Sequence, residues 1–203
     1  MKEMKKSIAA LFILGALMTG NTIYANGTST SPSEIPGKTT RVTFANVDNG
    51  AELFIKDSNE RTIYSEKITH AGLYAKSFDF SNLPPATYYF EVNSEDSIRI
   101  YPFKVSDAQV IMMDGERYSI AKPKIVLSGN KMYLTKDVAG QQSVMIDLFY
   151  EGHTLAYTEF LNIENELKRV YDFSTSKRGA YYVVIHTDDR TFRERVNITG
   201  TYW

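Results

Sequence analysis

Three histidines, His70, His153 and His186, are the side chains best suited to move protons near neutral pH, and the sequence keeps them apart. No two of them stand at the short spacing that would bring two ligands onto one face, and neither a His-x-x-x-His nor a Gly-x-Ser-x-Gly is present. His70 follows Thr69 in a loop, His153 falls in a hairpin turn and His186 closes a strand, so all three read as solvated histidines. The carboxylate pairs Glu95-Asp96 and Asp188-Asp189 read as turn residues, because Asp and Glu clusters between strands favour tight reversals. The spaced Asp-x-Asp-x-Asp-Gly loop of a calcium site is missing, and nothing favours a carboxylate pair for glycoside hydrolysis. With Cys 0, the chain offers no thiolate nucleophile, no thiolate zinc site and no disulfide. The expectation is a protein without catalytic residues, metal or cofactor.

The aromatic side chains are the better hint of binding, though outward tyrosines also suit a half-buried pleated surface or packing between modules in their own right. In the strand Tyr88 to Val92, Glu91 is expected to face water, which places Tyr88, Phe90 and Val92 inside and Tyr89 outside. The same alternation puts Tyr181, Val183 and Ile185 inside and Tyr182 outside. Tyr88 and Tyr181 read as core residues whose hydroxyls return to the backbone, in the manner of a tyrosine corner. Tyr89, Tyr182 and Trp203 are the candidate ligand-binding residues, since an outward ring can stack on a sugar or fill a pocket in a protein partner. Tyr74, Tyr101 and Tyr133 lie near turns or strand ends and suit the same purpose.

The elements that carry these residues begin after an N-terminal segment with the marks of export. Lys2, Lys5 and Lys6 precede an apolar run from Ile8 to Met18, followed by small and polar residues up to Ala25. The run is about half the ~20 apolar residues that a membrane-spanning helix needs. Residues 1–25 therefore read as a signal peptide cleaved after Ala25, and the expected location is the periplasm, the cell surface or the exterior. Removing them takes three Lys and one Glu from the 23 basic and 24 acidic residues, leaving 20 against 23 and a net charge of −3. A surface so nearly neutral has no basic patch for nucleic acid and none for an anionic membrane. Residues 26–38, rich in Ser, Thr, Gly and Pro, read as a flexible tether.

Beyond the tether the pattern is apolar–polar alternation broken by turn residues, which predicts strands. Phe78-Asp79-Phe80-Ser81 recurs as Tyr171-Asp172-Phe173-Ser174, a shift of 93 residues. The same shift, without a gap, carries Tyr64 and Glu66 onto Tyr157 and Glu159, Tyr88-Tyr89 onto Tyr181-Tyr182, and Asp96 onto Asp189. Leu53, Ile55 and Val92 likewise fall on Ile146, Leu148 and Ile185. Two copies of one module follow, 39–115 and 116–203, each expected to close its own core. Hairpins are predicted over Ala51–Asp57 with Arg61–Lys67, over Val144–Tyr150 with Thr154–Phe160, and at Met113–Glu116 and Ser128–Asn130. Final strands are predicted at Ile98–Val105 and Thr191–Ile198, and Ile163–Val170 is the one candidate helix, with a loop running into a strand as its alternative.

Gly179-Ala180-Tyr181-Tyr182-Val183-Val184-Ile185, and Leu83-Pro84-Pro85-Ala86-Thr87-Tyr88-Tyr89-Phe90-Glu91-Val92 less closely, resemble the short β-sandwich modules of secreted Bacteroidota proteins, including their C-terminal secretion-sorting domains. Lys124 to Asn130, followed by Met132 and Leu134, is similar to the opening hairpin of small secreted Bacteroides-type domains of unknown function. The sorting domains open with Pro-Asn-Pro and end in a basic tail, and this chain has neither. The resemblance implies a fold more than an activity. The expected fold is all-β, two tandem immunoglobulin-like sandwiches of Greek-key type. The expected function is a non-enzymatic binding or assembly module outside the cytoplasm, with a protein or polysaccharide partner. A polysaccharide-recognising accessory unit or secreted hydrolase is the alternative, and a self-assembling structural subunit a second alternative.

Overall fold

The computed structural model describes residues 22–25, 34–36 and 38–199. Fifteen strands run in chain order: β1 Thr22–Ala25, β2 Glu34–Pro36, β3 Thr39–Val47, β4 Glu52–Asp57, β5 Thr62–Lys67, β6 Gly72–Asp79, β7 Ala86–Asn93 and β8 Ser97–Val105. They continue with β9 Gln109–Met112, β10 Tyr118–Ala121, β11 Lys124–Ser128, β12 Lys131–Tyr150, β13 Thr154–Asp172, β14 Gly179–His186 and β15 Thr191–Ile198. The chain divides into two compact units between Ser119 and Ile120.

In the first unit β3 pairs antiparallel with β6, while β4 lies between β5 and β7, and β7, β8, β9 and β2 follow in order. The two sheets enclose Phe44, Phe78, Phe80, Phe90 and Phe103, all fully buried. Their rings meet edge-on or stacked, Phe90 and Phe103 at 4.6 Å between centroids, a geometry that adds quadrupolar attraction to burial. The second unit performs the same topology with fewer, longer strands. The first half of β12 pairs with β11 and the far half of β13, and its second half pairs with the near half of β13 and with β14. Its core is mainly aliphatic: Met132, Leu134, Ile146, Leu148, Val183 and Ile185, with Phe173 and Tyr181.

The 93-residue register extends to backbone irregularities. Strand pairing slips between Phe44 and Val47 in one unit and between Asp137 and Gln141 in the other. Gly72 (φ 103°) and Asn165 (φ 71°) occupy equivalent positions, and both take the left-handed conformation that turns a strand from one sheet into the other. After each Phe-Asp-Phe or Tyr-Asp-Phe the Asp side chain accepts from the backbone two residues on, Ser81 N to Asp79 Oδ1 at 2.9 Å and Ser174 N to Asp172 Oδ1 at 2.8 Å. Tyr88 and Tyr181 are core residues, and their hydroxyls donate four residues back, to Pro84 O at 2.9 Å and Lys177 O at 3.0 Å.

Some expectations need correction. Glu91 does not face water: it is only 2% exposed and accepts from Lys56 Nζ at 2.8 Å, so the outer side of β7 is buried as well as the inner. Glu34–Pro36, within the expected tether, pair with Gln109–Ile111 as β2. The candidate helix is strand throughout, because β13 finds a full-length partner in β12 that overrides the local helical spacing. Asp114–Glu116 form a turn of 3₁₀ helix instead of a hairpin, whereas Ser128–Asn130 do join β11 to β12. Most residues of the expected signal peptide lie outside the described residues, but its last four form β1, parallel to Arg41–Phe44 of β3.

Candidate functional site

The histidines do not assemble a catalytic group. His186 Nε2 lies 3.5 Å from Asp147 Oδ2, and its Nδ1 lies 3.1 Å from Thr191 Oγ1. His153 Nδ1 lies 2.9 Å from Glu151 O in its turn, and His70 tilts against Tyr74. Among the described residues no cluster of three or more His, Asp or Glu could hold a metal ion, and no helix is long and apolar enough to cross a membrane.

Charged groups with perturbed titration serve the fold. Glu66 accepts from Lys76 and from the Tyr64 hydroxyl, joining β5 to β6. Burial pushes Glu66 up, but the bonds from Lys76 and Tyr64 outweigh it and hold the carboxyl below its usual range. Burial and the same carboxylate push the Tyr64 hydroxyl up, and Tyr74 beside them is pushed up to about 12. In the second unit Glu159 accepts from Arg169 Nε at 3.0 Å and from the Tyr171 hydroxyl at 2.9 Å. Lys76 and Arg169 are equivalent under the repeat, as are Glu66 and Glu159, so the ion pair recurs in both copies, while the tyrosine that donates to it comes from a different position in each.

The outer face of β13, β12, β14 and β15 is different in kind. Cross-strand register sets Phe160, Met145, His186 and Thr191 in one row, Thr158, Asp147, Val184 and Arg193 in the next, and Leu155, Phe149, Tyr182 and Arg195 in a third. Phe160 is 76% exposed and Leu155 55%. At the upper end of this face a cavity of about 410 Å³ is lined by Ser143, Met145, Phe160, Asn162, His186 and Asp188. Thr158 Oγ1 donates to Asp147 Oδ1 at 2.6 Å, and Ser143 N donates to Asp188 Oδ2 at 3.3 Å, so the polar groups of the face are held in place. Such a surface offers flat apolar rings beside fixed hydrogen-bonding groups.

Tyr182, a candidate from the sequence, lies on this face. The Arg193 guanidinium sits 4.6 Å from its ring centroid, and any Cβ at Gly152 would meet the ring at 3.2 Å, so turn and arginine flank the tyrosine. Tyr89 occupies the equivalent position in the first unit, opposite Lys56 and Pro102, half-buried. There the surrounding outer face is closed: Glu91 is buried with Lys56, and Ile98 and Ile100 are each 3% exposed. Trp203 lies outside the described residues. Of the other tyrosines named from the sequence, Tyr74 and Tyr101 are buried and Tyr133 is exposed. Sequence reasoning missed Phe160. Its signal was the repeat itself, since the equivalent residue is Lys67, an outward polar position, and a Phe there has no core to enter.

No protein-family model and no curated protein matches the chain. Among solved structures it is similar to a biofilm-associated protein BSP domain, at 11% identity and a TM-score of 0.29, covering 83% of this chain and 29% of that one. It is also similar to the FN1–FN3 domains of chicken CNTN1, at 11% identity and a TM-score of 0.25, covering 88% of this chain and 68% of that one. The chain thus spans less than a third of the length of the first of these. Nothing in these comparisons ties it to secretion-sorting domains or to Bacteroidota.

Proposed function

We propose that this chain is an exported, non-enzymatic binding module that engages an extracellular partner through the outer face of its second sandwich. One observation carries the reading: the two copies of the module treat the same face in opposite ways. In the first, Glu91, Ile98 and Ile100 are buried beside Tyr89, and the exposed positions equivalent to Leu155 and Phe160 carry polar Thr62 and Lys67. In the second, Phe160 and Leu155 stand in solvent beside Met145, Phe149 and Tyr182. Exposed apolar area of this kind costs solubility and is retained where a partner covers it. Export follows from residues 1–25, read as a signal peptide, and the working protein is then 26–203.

A polysaccharide is the partner that the face suits best, because rings in a shallow polar cleft can stack on sugar faces while Asn162, Asp188 and Ser143 meet hydroxyls. The test is binding of purified 26–203 to a panel of polysaccharides and to immobilised envelope extract, with Phe160→Ser and Tyr182→Ala as controls. Recovery of a glycan by the wild type and loss in both variants supports the reading. Equal recovery by wild type and variants sinks it, and turnover of any glycan would replace it with the hydrolase alternative.

A further inference from the structure

We infer that signal removal opens a strand position beside β3 in the first sandwich, and that β15 of a second copy fills it, joining copies head to tail. The inference rests on the reading that residues 1–25 are removed on export. β1 pairs Thr22 with Arg41, Ile23 with Val42, Tyr24 with Thr43 and Ala25 with Phe44, so cleavage after Ala25 takes away the whole of that strand. β3 keeps β6 on its other side, and its newly unpaired N–H and C=O groups present a template for another strand. The open stretch is bounded. Arg99 Nη1 donates to Ala45 O at 2.8 Å and Nη2 to Asn46 O at 3.0 Å, which satisfies the carbonyls beyond Phe44.

The sequence that follows the cleavage point is poorly suited to refill the position. Residues 26–33 read Asn-Gly-Thr-Ser-Thr-Ser-Pro-Ser, with no apolar residue but proline, and Glu34 onward is held in the opposite sheet by the pairing of β2 with β9. Comparison of the two units says what fills it. In the second unit the strand equivalent to β3, the first half of β12, is flanked by β11 through a tight turn. In the first unit β8 is flanked by β9, with Phe103 opposite Met112 and Val105 opposite Val110. Its counterpart β15 pairs, among the described residues, only with β14. Each sandwich lacks the flanking strand that the other has. β15, with eight residues, is long enough to cover the open stretch from Thr39 to Phe44.

β13 also has a free edge, but the left-handed Asn165 bends it and Glu159, Glu164, Glu166, Lys168 and Arg169 line it, both devices that discourage pairing. β15 carries charge too, at Arg193, Glu194 and Arg195, but Arg193 is drawn onto the Tyr182 ring and no residue of β15 takes the left-handed backbone that bends β13. A contact between β15 of one copy and β3 of the next uses two different surfaces, so each copy keeps one of each to offer and the contact propagates from copy to copy.

The test compares chains 26–203 and 19–203, which differ in holding β1, by light scattering on a sizing column across the micromolar range. Circular dichroism checks that both are folded. The expected result is a ladder of masses in 26–203 that lengthens with concentration, a monomer in 19–203, and return of the ladder to monomer when a peptide of residues 20–27 is added. Hydrogen exchange in the ladder should slow at 39–44 and at 191–198. A monomer throughout, equal masses for the two chains, or protection at 154–172 in place of 191–198 overturns the inference. Should 26–203 precipitate, refolding it with the 20–27 peptide decides: a soluble monomer supports the open position, and precipitation regardless contradicts it. The intact mass of protein exported by cells reports separately on the signal reading, since a chain starting before Asn26 contradicts that reading whatever the purified chains do.

Discussion

Neighbouring tyrosines on β14 show how one residue of offset separates the core from the outer face. Tyr181 packs against Phe173 at 4.8 Å between centroids and donates to Lys177 O, while Tyr182 faces out under Arg193. Tyr181→Ala is expected to cost ~3–5 kcal/mol and unfold the second sandwich, whereas Tyr182→Ala should cost ~1 kcal/mol or less, since only an exposed cation–π contact is lost. Melting temperatures of the two variants check this, and equal values would overturn the facing argument. Lys136 makes the opposite kind of prediction. It is buried at a core position, where Thr43 stands in the first copy, with Nζ donating to Asp137 O at 3.0 Å. Burial lowers its pKa, against the pull of Asp189 and Asp137. The penalty for burying the charge is complete below the lowered folded value and is relieved as pH rises through it toward the unfolded value. Lys136→Met should therefore stabilise the second sandwich by about 1 kcal/mol or more at neutral pH, raising its melting temperature by ~4–8 °C, with an advantage that shrinks in alkaline buffer.

At the scale of elements, the bend of β13 depends on a single residue. Asn165 and Gly72 hold the left-handed backbone at the point where a strand crosses from one sheet to the other. Asn165→Val and Gly72→Ala should each cost roughly 1 kcal/mol or more, while Asn165→Gly should be neutral or slightly stabilising. Urea unfolding of the three variants measures it. Much of this level was legible in the sequence, because alternation, turn residues and the repeat locate β4, β5, β7, β8, β14 and β15 within a residue or two. The fusion of two strands into β12 and of two into β13 was not, since continuity across a bulge depends on partner geometry and not on local pattern. Glu91 misled for a similar reason: a carboxylate predicts solvent unless a cation is buried with it, and Lys56 comes from a strand 35 residues away. Phe160 shows that the repeat held more information than alternation alone, because only comparison with Lys67 marks it as outward.

For the whole molecule, the duplication has produced two sandwiches of unequal interior. The first packs five fully buried phenylalanines, while at the equivalent positions the second has an exposed Asp137, Tyr171, Phe173, Val183 and Val196, and it buries a lysine. Calorimetry of the intact chain should resolve two transitions, the lower belonging to the second sandwich, with hydrogen exchange assigning each; a first sandwich that melts earlier would contradict the packing argument. The copy expected to melt first is also the one with exposed apolar residues on its outer face, which fits a division in which one module supports and the other binds. The most direct test of that division is glycan binding by 26–203 alongside Tyr89→Ala and Phe160→Ser. The account predicts that Tyr89→Ala binds as the wild type does and Phe160→Ser loses binding. Loss in Tyr89→Ala with binding intact in Phe160→Ser would place the site on the first sandwich and contradict it.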